Sequence, residues 1–136
     1  MNKNVLILCT GNSCRSIIAE ALINSKLENI QAYSSGVAPS GRVNSNAQKV
    51  LEFYGEWRGE YHSKMLDTLK DIEFDLVVTV CDNAKETCPI FNKPIPTIHI
   101  GFEDPDGKEY QEFEKTYFEI KEVLLPIVKR ELIKEI

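Results

Sequence analysis

Four consecutive apolar residues, Val5-Leu6-Ile7-Leu8, run into Cys9 and are followed at once by Thr10-Gly11-Asn12. No other junction constrains the chain as much. A continuous apolar run of this length fits a strand buried on both faces, as in parallel sheets. From Ser16 onward Ile17, Ile18, Ala21, Leu22 and Leu27 recur at roughly helical spacing, so the loop opens directly into a helix. A buried strand, a short loop and a helix in that order begin an α/β sheet.

The rest of the chain continues the alternation. Ile30 to Tyr33, with Ser34-Ser35-Gly36 behind it, reads as a short second strand, and Pro39 and Gly41 mark a loop. Ala47, Val50, Leu51 and Tyr54 predict a second helix stopped at Gly55. Phe74 to Val80 is the strongest strand pattern and ends at Cys81, just as the first strand ends at Cys9. Ile95 to Ile100 predicts a weaker fourth strand, which Pro94 and Pro96 confine to an edge or a strand start. Glu103 to Gly107 is a turn-rich loop. From about Glu109 to Glu135, a stripe of Phe113, Tyr117, Ile120, Leu124 and Val128 predicts a last helix, kinked or broken at Pro126. With no repeat or linker, the 136 residues fit one catalytic domain spanning 1–136, an open α/β sheet whose active region lies beyond the carboxyl ends of its strands.

Charge and cysteine usage narrow the function classes. The net charge of −5 argues against a nucleic-acid binder or an anionic-membrane binder. No apolar run approaches the ~20 residues of a membrane span. The residues before Val5 are too few for a signal peptide, so a cytoplasmic chain is expected. In a reducing compartment, Cys9, Cys14, Cys81 and Cys88 point to catalysis or redox work before a disulfide scaffold. Their spacing does not match a structural zinc site, so no metal is expected, and His62 and His99 read as structural.

The segment Cys9-Thr10-Gly11-Asn12-Ser13-Cys14-Arg15-Ser16 places a thiol, five residues and a guanidinium between a buried strand and a helix start. Amides of such a loop point inward and the helix N-terminus adds partial positive charge, so a tetrahedral oxyanion is cradled there. Arg15 can fork onto two of its oxygens. The same groups are expected to lower the pKa of Cys9 and make it a nucleophilic thiolate. Asn12 is the residue expected to take a left-handed backbone conformation, and Ser16 to donate a hydrogen bond to the Cys9 sulfur. Cys14 is expected to pack beneath the loop.

This loop resembles the phosphate loop of low-molecular-weight protein tyrosine phosphatases and of the thioredoxin-coupled arsenate reductases built on the same fold. Tyr33-Ser34-Ser35-Gly36, His62-Ser63-Lys64, Asp75 to Thr79, Cys81 to Cys88 and Gly101 to Pro105 also have counterparts in the reductases. The resemblance implies a three-layer domain with a four-stranded parallel sheet flanked by helices. It places Asp104 over the oxyanion site, where a phosphatase uses such an aspartate as general acid and a reductase uses it to protonate the leaving water or to tune the thiols. It also implies a cation region near Asn12, Glu20 and Ser34, which potassium-dependent reductases complete with a carboxylate where this chain has Lys64. An ammonium there is expected to replace the ion.

Counting electrons separates the family's two chemistries. A phosphatase needs one thiolate, because phosphoryl transfer and hydrolysis involve no redox change. Reducing arsenate to arsenite takes two electrons, which two thiols supply by becoming a disulfide, and regenerating the nucleophile takes a third thiol. Cys9, Cys81 and Cys88 fill these roles in that order, and the resemblance implies that thioredoxin reduces the Cys81–Cys88 disulfide. The six intervening residues would span ~10 Å as a two-turn helix, whereas a disulfide needs Cα atoms within about 7 Å, so closing it requires rearrangement. Arsenate is the expected substrate, phosphate a competitor, and a monomer without organic cofactor the expected form. The rivals are a phosphatase using Cys9, Arg15 and Asp104 alone, a phosphocysteine carrier of a sugar-transport system, against which Arg15 speaks, and a redox or oxyanion sensor.

Overall fold

Val5 to Leu8 form the middle of strand β1 (Lys3–Cys9), whose four apolar side chains have no solvent exposure. They are covered because β1 has a parallel partner on each side: β2 (Ile30–Gly36) and β3 (Leu76–Thr79). Strand β4 (Thr97–His99) pairs in parallel with β3, giving the order β2-β1-β3-β4. The computed structural model describes residues 3–81 and 94–132. Cys88 and the helix or loop expected between Cys81 and Cys88 lie outside the described residues.

The strand readings differ from the structure mainly in length. Strand β2 runs on through Ser34, Ser35 and Gly36, because Gly36 stands in register with Cys9 at the end of β1. Strand β3 is shorter than the apolar run that marks it. Its flanks stay joined to β1 by single bonds, Asp75 N to Asn4 O at 2.7 Å and Val80 N to Leu8 O at 3.0 Å. At the sheet edge Pro96 needs no donor, and its carbonyl accepts from Val77 N at 2.9 Å.

Three helices are described: α1 (Arg15–Lys26), α2 (Ser45–Phe53) and α3 (Tyr110–Leu132). Helix α1 is buried from Ser16 to Ile23, since it lies against β2 and is covered in turn by α3 and α2. Asn44 caps α2, and Gly55, with φ of 73°, ends its exit turn as the sequence predicts. The apolar stripe of α3 is buried as expected, but the break at Pro126 does not occur. Pro126 sits on the solvent side of α3, where the carbonyl freed by its missing N–H faces water. Among the described residues no helix is long and apolar enough to cross a membrane.

Candidate active site

Both thiols that end strands lie at the carboxyl edge of the sheet, Cys9 after β1 and Cys81 just past β3. From Cys9 the chain turns through Thr10 to Cys14 before α1 begins. Asn12 takes φ of 50°, the left-handed conformation expected of it. Its side chain then reaches back into the protein. Nδ2 donates to Ser16 Oγ at 2.8 Å and to Ser34 Oγ at 2.9 Å, and Oδ1 accepts from Lys64 N at 2.9 Å. Ser16 Oγ thus accepts from Asn12, and among the described residues no hydrogen bond joins it to the Cys9 sulfur as the sequence predicts.

Four carbonyls along the loop are turned outward onto backbone donors. Cys9 O accepts from Val37 N at 3.0 Å, Thr10 O from Ala38 N at 3.0 Å, Gly11 O from Ser40 N at 2.9 Å and Ser13 O from Asn44 N at 3.0 Å. In a trans peptide the following N–H points the opposite way, so the amides converge on the inner side of the loop. The amides from Gly11 to Ile17 have no acceptor among the described residues, and Cys14 puts no side-chain cap on α1. Such a ring of donors at a helix N-terminus is an anion cup.

Gly36 makes this curvature possible. A Cβ at Gly36 would stand 2.6 Å from Thr10 O and 3.2 Å from Asn12 N, both backbone atoms of the loop. The sequence places Gly36 behind the second strand, in a segment with counterparts in the reductases, but assigns it no role in the cup. The close approach depends on pairing between β1 and β2, which no local pattern displays.

Cys9, Cys14 and Cys81 are all buried, and the Cys9 and Cys14 thiols are free. The Cys9 and Cys81 thiols are within hydrogen-bonding reach of one another, and Thr10 Oγ1 lies 3.1 Å from Cys81 Sγ. This contact reverses the expected titration of Cys9. Its thiol is pushed up, first by the hydrogen bond with Cys81 and then by burial, against the opposing pull of Arg15 and the Thr10 amide. Two sulfurs in contact resist carrying two negative charges. Cys14 is pushed up to about 12, chiefly by burial, with Asp106 and Asp104 adding to the shift.

Arg15 begins α1 and meets the loop that follows β4. Its Nη1 donates to Phe102 O at 3.0 Å and its Nη2 stands 3.4 Å from Asp104 Oδ2. Its Nε is buried and has no partner among the described residues, a donor left over for an oxyanion in the cup. Asp104 itself is about half exposed, at 52%. The structure thus brings Thr10, Gly11, Asn12, Ser13, Cys14, Arg15 and Ser16 together with Cys9, Cys81 and Asp104.

Behind the cup lies a polar layer. Ser34 Oγ donates to Glu20 Oε1 at 2.6 Å, and Glu20 is pushed up to about 7 by burial, against the Lys64 ammonium and the Ser34 hydroxyl. Lys64 is in turn shifted down by burial, with Glu20 opposing. Its Nζ donates to His62 O at 2.8 Å. Asn12, Glu20, Ser34 and Lys64 therefore form one cluster under the loop.

A family model for low molecular weight phosphotyrosine protein phosphatase matches residues 4–135. The chain belongs to this family. Among its relatives, the arsenate reductase of Bacillus cereus (strain AH187) is 40% identical over 121 residues, covering 88% of this chain and 90% of that protein. The crystal structure of an arsenate reductase from Archaeoglobus fulgidus DSM 4304 superposes with a TM-score of 0.75 at 29% identity, covering 91% of this chain and 98% of that one. A low molecular weight protein tyrosine phosphatase from T. tengcongensis superposes at 0.80 with 27% identity, covering 95% and 99%. The fold therefore serves both chemistries within the family, and the distinction must come from the thiols.

Proposed function

We propose that the chain reduces arsenate to arsenite through Cys9, Cys81 and Cys88. The observation that carries this reading is the meeting of two thiols, Cys9 and Cys81, beside one anion cup. Hydrolysis of a phosphoester uses one of them. Two-electron reduction uses both, and the curated arsenate reductase at 40% identity supports the same choice.

The Cys9 sulfur attacks arsenic(V) as its proton passes to an arsenate oxygen, and that oxygen leaves as water with Asp104 supplying the second proton. Loop amides and Arg15 hold the remaining oxygens. The Cys81 thiolate then attacks the Cys9 sulfur. A Cys9–Cys81 disulfide forms, the sulfur–arsenic bond breaks, and arsenite departs with the electron pair. Cys88 attacks the Cys81 sulfur, the Cys81–Cys88 disulfide forms and the Cys9 thiolate is released. The dithiol of thioredoxin reduces that disulfide. Phosphate, a tetrahedron of similar size, competes for the cup.

The test follows NADPH oxidation with thioredoxin, thioredoxin reductase and arsenate, comparing the native chain with Cys88→Ser. Continuous turnover in the native chain and at most one turnover in the variant are expected, with equal rates in potassium and sodium chloride of equal ionic strength. No native turnover, together with aryl-phosphate hydrolysis that survives Cys88→Ser, would make the protein a phosphatase.

A further inference from the structure

Asn44 uses every polar atom it has. Its Oδ1 accepts from Asn46 N at 2.8 Å and from Ala47 N at 3.4 Å, capping α2. Its backbone N donates to Ser13 O at 3.0 Å, on the outer side of the anion cup. Its Nδ2 donates to Asp106 Oδ1 at 2.8 Å, across 62 positions of sequence. One residue thus joins the cup, the start of α2 and the loop after β4.

From Asp106 the contacts continue inward. Asp106 N donates to Asp104 Oδ1 at 3.0 Å, and Asp104 Oδ2 stands 3.4 Å from Arg15 Nη2. Asp106 Oδ1, the atom that Asn44 holds, also lies 3.9 Å from the Cys14 thiol, whose residue is 3% exposed. We propose that Asn44 is a positioning residue, a latch that holds the loop of Asp104 and Asp106 closed over the anion cup. Through it the Asp104 carboxyl is aimed at the Arg15 side of the cup and Cys14 is shielded.

Only an amide side chain serves both ends. Asp would cap α2 as well as Asn does, but it would set a second carboxylate against Asp106. Ser would cap, yet its hydroxyl is too short to reach across. The latch deepens the reductase reading by assigning what places the proton donor, but it does not depend on which oxyanion reacts.

The experiment exploits the separation of cap from latch. Asn44→Asp keeps the cap and removes the latch, and Asp106→Asn keeps an acceptor for Asn44. The double variant Asn44→Asp with Asp106→Asn exchanges donor and acceptor and restores the pair. Alkylation of Cys14 by iodoacetamide, resolved from Cys9 by tandem mass spectrometry, reports loop opening without any turnover. It therefore stands even if the protein proves to be a phosphatase. Asn44→Asp is expected to raise the Cys14 rate about tenfold, the scale of one charge-assisted hydrogen bond, with the thermal midpoint unchanged. The double variant is expected to return close to the native rate. An unchanged Cys14 rate in Asn44→Asp, or a double variant as reactive as that single one, would overturn the latch.

Discussion

The loop from Cys9 to Ser16 is held mainly by backbone: its outward carbonyls accept from the amides of Val37, Ala38, Ser40 and Asn44, and the wholly buried Asn12 adds its side-chain bonds. The loop from Gly101 to Gly107 is anchored to the sheet by Phe102 N to Val80 O at 3.1 Å, and beyond that point it is held by side chains, through Arg15 to Asp104 and through Asn44 to Asp106, with Asp104 half in water. The two face one another across the anion cup. Their difference teaches where the chain tolerates change. A backbone-held loop responds to any added atom as a unit, whereas a loop held by side chains yields one contact at a time.

The largest effect on phosphate binding should come from Gly36→Ala, although this residue makes no contact with substrate. Its new Cβ meets the Thr10 carbonyl, a backbone atom that cannot move without reshaping the cup. Phosphate affinity measured by titration calorimetry should fall at least about 100-fold, with a loss of roughly 1–3 kcal/mol of stability from overpacking. Native-like phosphate binding in Gly36→Ala would show that the cup adapts as readily as the opposing loop.

Asp104→Asn tests the opposing loop and should be gentler on binding than on rate. An exposed ion pair contributes about 0–1 kcal/mol, so the unfolding midpoint and phosphate affinity should stay close to native. Turnover should fall about 10²–10⁴-fold if the carboxyl gives its proton to the leaving oxygen. A collapse of phosphate affinity instead would mean that this loop helps to build the cup.

The variant expected to change phosphate binding least sharpens how deep the backbone-held region reaches. Glu20 sits behind Asn12 and Ser34 with its pKa raised from 4.5 to about 7. The folded state binds the extra proton between these values, so this contribution to stability is complete below about pH 4.5 and is lost as pH rises through about 7. Glu20→Gln should flatten that fall and gain up to about 3 kcal/mol at pH 8 relative to the native chain. Parallel pH–stability curves for the two proteins would remove Glu20 from the titration.

Much of this arrangement is legible in the chain. The apolar run of β1, the helical period of α1 and the readiness of Asn12 for φ > 0 are local signals, and the four parallel strands follow from them and from the family resemblance. What escaped depends on distant partners. The direction of the Cys9 shift turns on Cys81, 72 residues away, and Gly36 matters only once β2 lies beside β1. Asn44 and Asp106 carry no motif, since a capping residue and a turn aspartate are ordinary until they meet. Pro126 does not break the helix because its solvent-facing position lets water take the place of the lost bond.

The unpaired amides of Gly11 to Ile17 have a consequence for the protein's abundance as well as its chemistry. They converge only in the folded chain, so a tetrahedral oxyanion binds the native state and has no comparable site on the unfolded one. At a concentration 100 times its dissociation constant, such an anion adds about 2.7 kcal/mol to folding. Phosphate that slows turnover by filling the cup would, by the same occupancy, keep more of the polypeptide folded and out of reach of proteases.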